Sequence, residues 1–252
     1  MRTAIHPHKK IKVSVSDYIK DFGNNSQRDL KDYPLCPFCK QRMTIVAKST
    51  ANSTGHFKHF PKSEFCPSKE KSVALYANLP PLEPDPEKAR EIKIKFVENW
   101  KAHFSQLNFF AKGLSKREFL NILIISNRSR IWEYAHLEEF QIPYILATLI
   151  DFPPENSRLG QDKKRIRNKY IRCFFDSSVT RFDDLWIDRP HSLQFWRAWY
   201  DATPGKNPTV EDLIDAYGSE LDSTYLKFTP RVPPFYIEEI EDWLHSHFCR
   251  GL

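Results

Sequence analysis

Glycine is scarce in this chain, with seven residues in 252. Having so little of the one residue that adopts left-handed backbone freely, beside so many aromatics, argues against a Gly-rich sandwich, propeller or linker array. Long apolar runs are absent as well. The longest, FLNILII and IPYILATLI, fall well short of the roughly 20 residues that a membrane span needs. The N-terminal MRTAIHPHKKIKVSVSDYIK carries charge but no apolar stretch of the signal-peptide kind. A cytoplasmic protein with no membrane partner is expected. Cysteine is also sparse, five residues at uneven spacing, which in a reducing compartment argues against a disulfide framework and turns attention to any close pair. No internal repeat is visible.

Acid is thin in two places. Residues 1–80 hold fourteen Lys or Arg against six Asp or Glu, and residues 157–172 hold seven against one. The formal charge of +6 therefore understates two basic blocks, whose field favours a polyanionic partner. What the chain does have is bulk. Apolar residues make up 40% and aromatic residues 14%, enough for a packed core and too much for a disordered chain.

CPFC, at Cys36 to Cys39, is followed by GHFKHFPKSEFC, which ends at Cys66. The two-residue gap of Cys-x-x-Cys lets one tight turn present both sulfurs to a single ion, and a structural zinc site asks for two further ligands. His56, His59 and Cys66 are the candidates. Alternate side chains on a strand point to opposite faces, so His56 and His59, an odd number apart, should diverge. The preferred set is Cys36, Cys39, His59 and Cys66 around a structural Zn2+, because the six-residue loop before Cys66 can fold back on the metal. His56 is the alternative ligand. Pro37 would stiffen the turn and Phe38 would screen one side of the site. Cys173 and Cys249 stand alone and read as inert thiols.

RMTIVAKS predicts a strand after the first pair, ANSTG a turn and HFKHF a returning strand, the order of a zinc ribbon. KIKVSVSDYI reads as an earlier strand. Four prolines in NLPPLEPDPEKAR mark a linker that ends in a helix start near residues 85–87. The expected organisation is α+β: a strand and small zinc-ribbon module over residues 1–78, then a larger helix-rich mixed domain over 79–252. In the second part, Ile92, Phe96, Trp100 and Phe104 recur every four residues as one helical face. Phe119, Leu120, Leu123 and Ile124 predict a second helix capped by Ser115. SRIWEYA is read as a strand, HLEEFQIPYILATLIDF as a helix interrupted or started at Pro143, and residues 170–175 as a strand. HSLQFWRAWYD, TVEDLIDAYGSEL with Thr209 and Asp212 as its capping box, and YIEEIEDWLHSHF are read as helices.

CPFC, GHFKHF and Cys66 together resemble the N-terminal zinc-ribbon segment of the CoiA-like competence proteins, in which a Cys-Pro-x-Cys pair precedes a His-Phe-x-His element and another Cys. The resemblance spans roughly residues 33–71. It implies a bacterial setting, DNA processing and a nuclease-like domain after the ribbon. LEEFQIPY, with Glu138 or Glu139 before Gln141, is only superficially similar to that family's acidic strand motif, and Asp176, Asp183 and Asp184 are the other acids on offer.

In the second basic block, Lys163, Lys164, Arg165, Arg167, Lys169 and Arg172 are the candidate nucleic-acid contacts, since Lys and Arg gain from counterion release at phosphates whatever the sequence. Lys40, Arg42, Lys48, Lys58 and Lys62 give the front module a second such surface. The expected function is DNA binding or processing, in a competence, mobile-element or phage-defence setting. The alternatives are a noncatalytic adaptor that grips a protein partner in a larger complex, and a metal-dependent nuclease. The sequence leaves open whether the chain is an enzyme.

Overall fold

The computed structural model describes residues 1–23, 29–46, 55–69, 76, 79–155, 167–201 and 205–248. Its N-terminal part, up to residue 69, combines short strands with one helix. β1 (Thr3–Ile5) pairs antiparallel with β2 (Lys12–Ser14). The strand expected over KIKVSVSDYI stops at Ser14, which instead caps α1 (Val15–Phe22) by accepting from Asp17 N. A Ser followed three residues later by an acid is a helix start, and here it outweighs the alternation before it.

β3 (Met43–Val46) and β4 (His56–His59) form the expected hairpin, with Met43 opposite His59 and Val46 opposite His56. Leu35 bridges the two small sheets, pairing with Ile5 on one side and Arg42 on the other. Phe57 N donates to Met1 O at 2.8 Å.

The predicted helix start is present: Asp85 caps α2 (Pro86–Glu98) and Pro86 occupies its first turn. Ile92, Phe96, Trp100 and Phe104 are all buried, but the helix breaks at Asn99, and Trp100 begins α3 (Trp100–Ala111). Asn99 leaves helical backbone and donates its amide to Glu139 Oε1 at 2.8 Å. α4 (Lys116–Arg128) carries the complete Ser115/Glu118 capping box. Ser115→Ala is expected to destabilise the protein by about 1 kcal/mol in urea unfolding. Glu118 also pairs with Arg167, so Glu118→Ala should cost more.

SRIWEYA is not a strand. Arg130 has φ 55, and a single 3-10 turn over Ile131–Glu133 follows it. The HLEEFQIPY segment holds a 3-10 turn at Glu139–Gln141 and then α5 (Ile142–Ala147), whose residues are all buried.

The last third departs furthest from the sequence expectation. β5 (Tyr170–Phe175) forms as predicted, but β6 (Phe195–Tyr200) and β7 (Leu213–Ser219) occupy stretches read as helices. They complete an antiparallel sheet in the order β5-β6-β7. Aromatic side chains suit a pleated surface packed on both faces, and such a surface blurs the two-residue alternation that marks a strand. The Thr209/Asp212 capping box does form, but it closes only one 3-10 turn before the chain extends into β7. The final helix, α6 (Pro234–Trp243), is present.

The architecture is thus mixed α+β. One hydrophobic cluster runs from Met43 and Phe57 through the helices to the three-stranded sheet. No helix among the described residues is long and apolar enough to cross a membrane.

Candidate metal centre

The CPFC turn is closed by backbone hydrogen bonds. Cys36 N donates to Gln41 O at 2.8 Å and Lys40 N to Cys36 O at 3.0 Å. Closing it requires Lys40 to adopt φ 58, a left-handed value. The turn leads directly into β3, and β4 returns alongside with His59 opposite Met43. Burial alternates along β4 and into the residue after it: Phe57 and His59 are buried, Lys58 and Phe60 exposed. After Phe60 the chain folds back. Lys69 Nζ donates to Ser63 O, Ser63 Oγ and Glu64 O at 2.6–3.1 Å, and Gln41 Nε2 reaches Phe65 O at 3.1 Å. These bonds seat Cys66 opposite the first pair.

The result is one cluster. Among the described residues, Cys36, Cys39, His59 and Cys66 form the one group of three or more candidate ligands close enough to share an ion, all four donor atoms lying within 4.8 Å of one another. Cys36 Sγ is 3.8 Å from Cys66 Sγ, and Cys39 Sγ is 3.3 Å from His59 Nε2. A tetrahedron with metal–sulfur bonds of about 2.3 Å and metal–nitrogen bonds of about 2.0–2.1 Å has S–S edges of roughly 3.8 Å and S–N edges of roughly 3.6 Å. The donors fit such a shell, and four protein ligands close it. The arrangement is that of a structural metal site such as zinc.

The thiol chemistry agrees. Burial first, then hydrogen bonding and repulsion among the sulfurs, push the Cys36 thiol well up, whereas hydrogen bonds from Cys36 and Cys39 pull Cys66 down. Three thiolates in one buried pocket repel one another, and a cation at their centre removes that conflict. Cys66 Sγ also lies 3.2 Å from Ser68 Oγ. Gln41 and Ser68 are supporting residues that the ligand spacing did not single out, although Ser68 sits two positions from a ligand.

His56 lies outside the cluster. Its ring is half-buried, 3.7 Å from Glu211 across the molecule, and burial holds its pKa below the ordinary value. Phe38, between the first two cysteines, is buried against the sheet. It packs edge-on against Phe174 of β5 and Trp196 of β6, with ring centroids 5.1 and 5.0 Å away. Cys173 is buried in β5, and burial raises its thiol to about 12.

Of the second basic block, Lys163, Lys164 and Arg165 lie outside the described residues, as do Lys48 and Cys249. Arg167 and Arg172 are buried. Arg167 donates to Pro153 O and Ala111 O at 2.7 and 2.8 Å and pairs with Glu118. Arg172 makes a two-point bond with Asp151 at 2.9 and 2.7 Å. Lys169 pairs with Asp201 at 2.7 Å. The acids are likewise engaged. Asp176 accepts from Ser178 and Gln194, Asp183 from Leu82 N and Arg181, and Asp184 from Thr180 and Arg181 N. Glu139 faces the buried His103 at 3.5 Å, and Glu138 opens the 3-10 turn.

In the front module Lys40, Arg42, Lys58 and Lys62 are exposed. Arg42, Lys58 and Lys62 have no carboxylate partner among the described residues.

Residues 24–73, which contain the whole cluster, match the family described as "Domain of unknown function (DUF7830)". Neither a curated protein nor a solved structure matches the chain.

Proposed function

We propose that the Cys3His cluster holds a structural zinc ion and that the hairpin it pins contacts DNA through its outward face. The observation that carries this reading is that face itself. Lys58 on β4 and Phe60 just past its end are exposed while His59 is buried in the cluster, and Arg42, exposed as well, immediately precedes β3. Cations interleaved with an exposed aromatic suit a nucleic-acid strand, the cations neutralising phosphates and the ring stacking on a base. Tyr33 braces Phe60 edge-on at 5.4 Å. Arg167 and Arg172 belong to the interior, so the phosphate contacts fall to the front module. The likeness to CoiA-like ribbons points the same way, towards a bacterial protein that handles DNA.

The test is fluorescence anisotropy of labelled single- and double-stranded oligonucleotides with the zinc-loaded protein. For roughly four phosphate contacts, affinity should fall about 10²-fold between 50 and 200 mM salt. Arg42→Ala with Lys58→Ala should flatten that slope, and Phe60→Ala should weaken single-strand binding more than duplex binding. Salt-insensitive binding, or none at low salt, would sink the reading. The same mixtures with magnesium, run on a denaturing gel, report on strand cleavage.

A second reading, a noncatalytic adaptor, draws on Phe109 and Phe228, which are 63% and 68% exposed and line one groove. Loss of DNA binding with retention of a stable fold would favour it.

A further inference from the structure

The metal turn and the three-stranded sheet enclose a cleft that neither makes alone. It has a volume of about 700 Å³ and is lined by Pro37, Phe38 and Lys40 of the turn and by Arg189, His191 and Trp196, among others. A space of that size lies in the range that takes a small molecule.

Its walls combine flat rings with cations. Phe38 meets the Trp196 indole edge-on, and the indole is backed by Gly218, where an added Cβ would sit 3.0 Å from three of its ring atoms. The indole therefore lies close against the β7 backbone. The Lys40 ammonium is steadied by Pro37 O at 2.7 Å. Arg189 is anchored through one nitrogen, Nη2, to the carbonyl of Asp184, which leaves its other guanidinium donors without a protein partner among the described residues.

The one carboxylate in the lining, Asp176, has both oxygens engaged. Oδ1 accepts from Ser178 N and Oγ at 2.9 and 2.5 Å, and Oδ2 accepts from Gln194 N at 3.1 Å. Two permanent cations and the imidazole of His191 thus face one carboxylate that is committed to its own loop. Such a surface recognises an anion, and the guanidinium fork matches phosphate geometry. The adjacent Trp196 indole, half-buried, recognises a flat group by stacking.

We propose that this cleft binds a nucleoside monophosphate unit, with its base against Trp196 and its phosphate at Lys40 and Arg189. The unit is either a free nucleotide or the end of a nucleic-acid strand, and only the strand case rests on the DNA reading above.

The zinc-loaded full chain is titrated by calorimetry with adenosine monophosphate, with inorganic phosphate and with a short 5′-phosphorylated oligonucleotide. The nucleotide is expected to bind saturably, with phosphate about tenfold or more weaker, because stacking is lost. Arg189→Ala and Lys40→Gly should each weaken the nucleotide about tenfold; glycine is chosen at 40 because it tolerates the left-handed backbone. Should Arg189→Ala fail to fold, His191→Ala, at an exposed position, carries the test.

Arg42→Ala with Lys58→Ala should leave nucleotide binding unchanged. No saturable nucleotide binding by folded, zinc-loaded protein overturns the proposal, as does binding that ignores all three cleft substitutions. Salt-sensitive oligonucleotide binding that depends on Arg42 and Lys58, without nucleotide binding, defeats the cleft and leaves the DNA reading intact. Nucleotide binding without salt-sensitive DNA binding supports a free-nucleotide site and defeats the DNA reading.

Discussion

The purified protein is expected to carry one zinc ion per chain, and stripping it with a strong chelator should unfold the segment around the CPFC turn and β3–β4. In small zinc-finger peptides metal binding contributes about 10–16 kcal/mol at neutral pH, and that energy is the folding energy. This module has other support in the Leu35 bridges and the Phe38 contacts, so removal should destabilise it strongly without erasing the helices behind it. Hydrogen exchange resolves the two parts. The amides of Lys40 and Met43, bonded to Cys36 O and Pro34 O, should lose protection on chelation, while those of α4 should keep most of theirs.

Metal analysis of variants then tests each ligand. Cys36→Ser, Cys66→Ser and His59→Ala should lose zinc, and Cys173→Ser and His56→Ala should retain it. Zinc retained by His59→Ala and lost by His56→Ala would reverse the ligand assignment.

Asp151→Ala should be the most damaging single change outside the metal site, at about 3–5 kcal/mol. Its carboxylate is bound at two points by Arg172 and accepts the Tyr170 hydroxyl at 2.7 Å. The Arg172 side chain is 2% exposed. Burial works against its charge, yet Asp151 more than offsets this and holds the arginine pKa above its ordinary value. Removing the acid takes the paired carboxylate from a buried cation that lies against Tyr170 and Tyr200, and breaking a buried ion pair from one side accounts for a loss of that size. In a chain of this length the melting temperature should drop by about 10 °C. Pairing Asp151→Ala with Arg172→Met should recover a large part of the loss, because it removes the buried charge together with its acid. A single variant as stable as the double would show that the pair contributes little.

The metal ligands were legible because their chemistry depends on short spacings that survive any tertiary context. Cys-x-x-Cys makes its own turn, and the strand rule that separates His56 from His59 is equally local. Helix starts at Asp85 and Ser115 were legible for the same reason. The sheet was not. Phe195, Ala198 and Tyr200 are buried on β6 while Trp196 and Trp199 are half-covered by other parts of the chain, so the sequence shows apolar residues at three-residue intervals that imitate a helix. Thr209 and Asp212 deepened the error, since a capping box marks a turn and cannot say whether a helix follows. Arg167 and Arg172 misled in another way. A run of cations reads as a surface, but β5 passes through the interior, and Glu118 and Asp151, distant in sequence, are what allow the two arginines to be buried.

Gly218 is free of backbone strain, and its importance is one of clearance. The Trp196 ring lies against its Cα, Phe38 lies against that ring, and Phe38 sits between the first two cysteines. The sheet therefore acts as a gauge block for the metal turn. The indole is the spacer between one residue of β7 and the residue that separates Cys36 from Cys39. A methyl group at 218 would stand 3.0 Å from three indole atoms, so the ring would have to shift by a few tenths of an ångström, and the first thing in its way is the turn that carries the sulfurs.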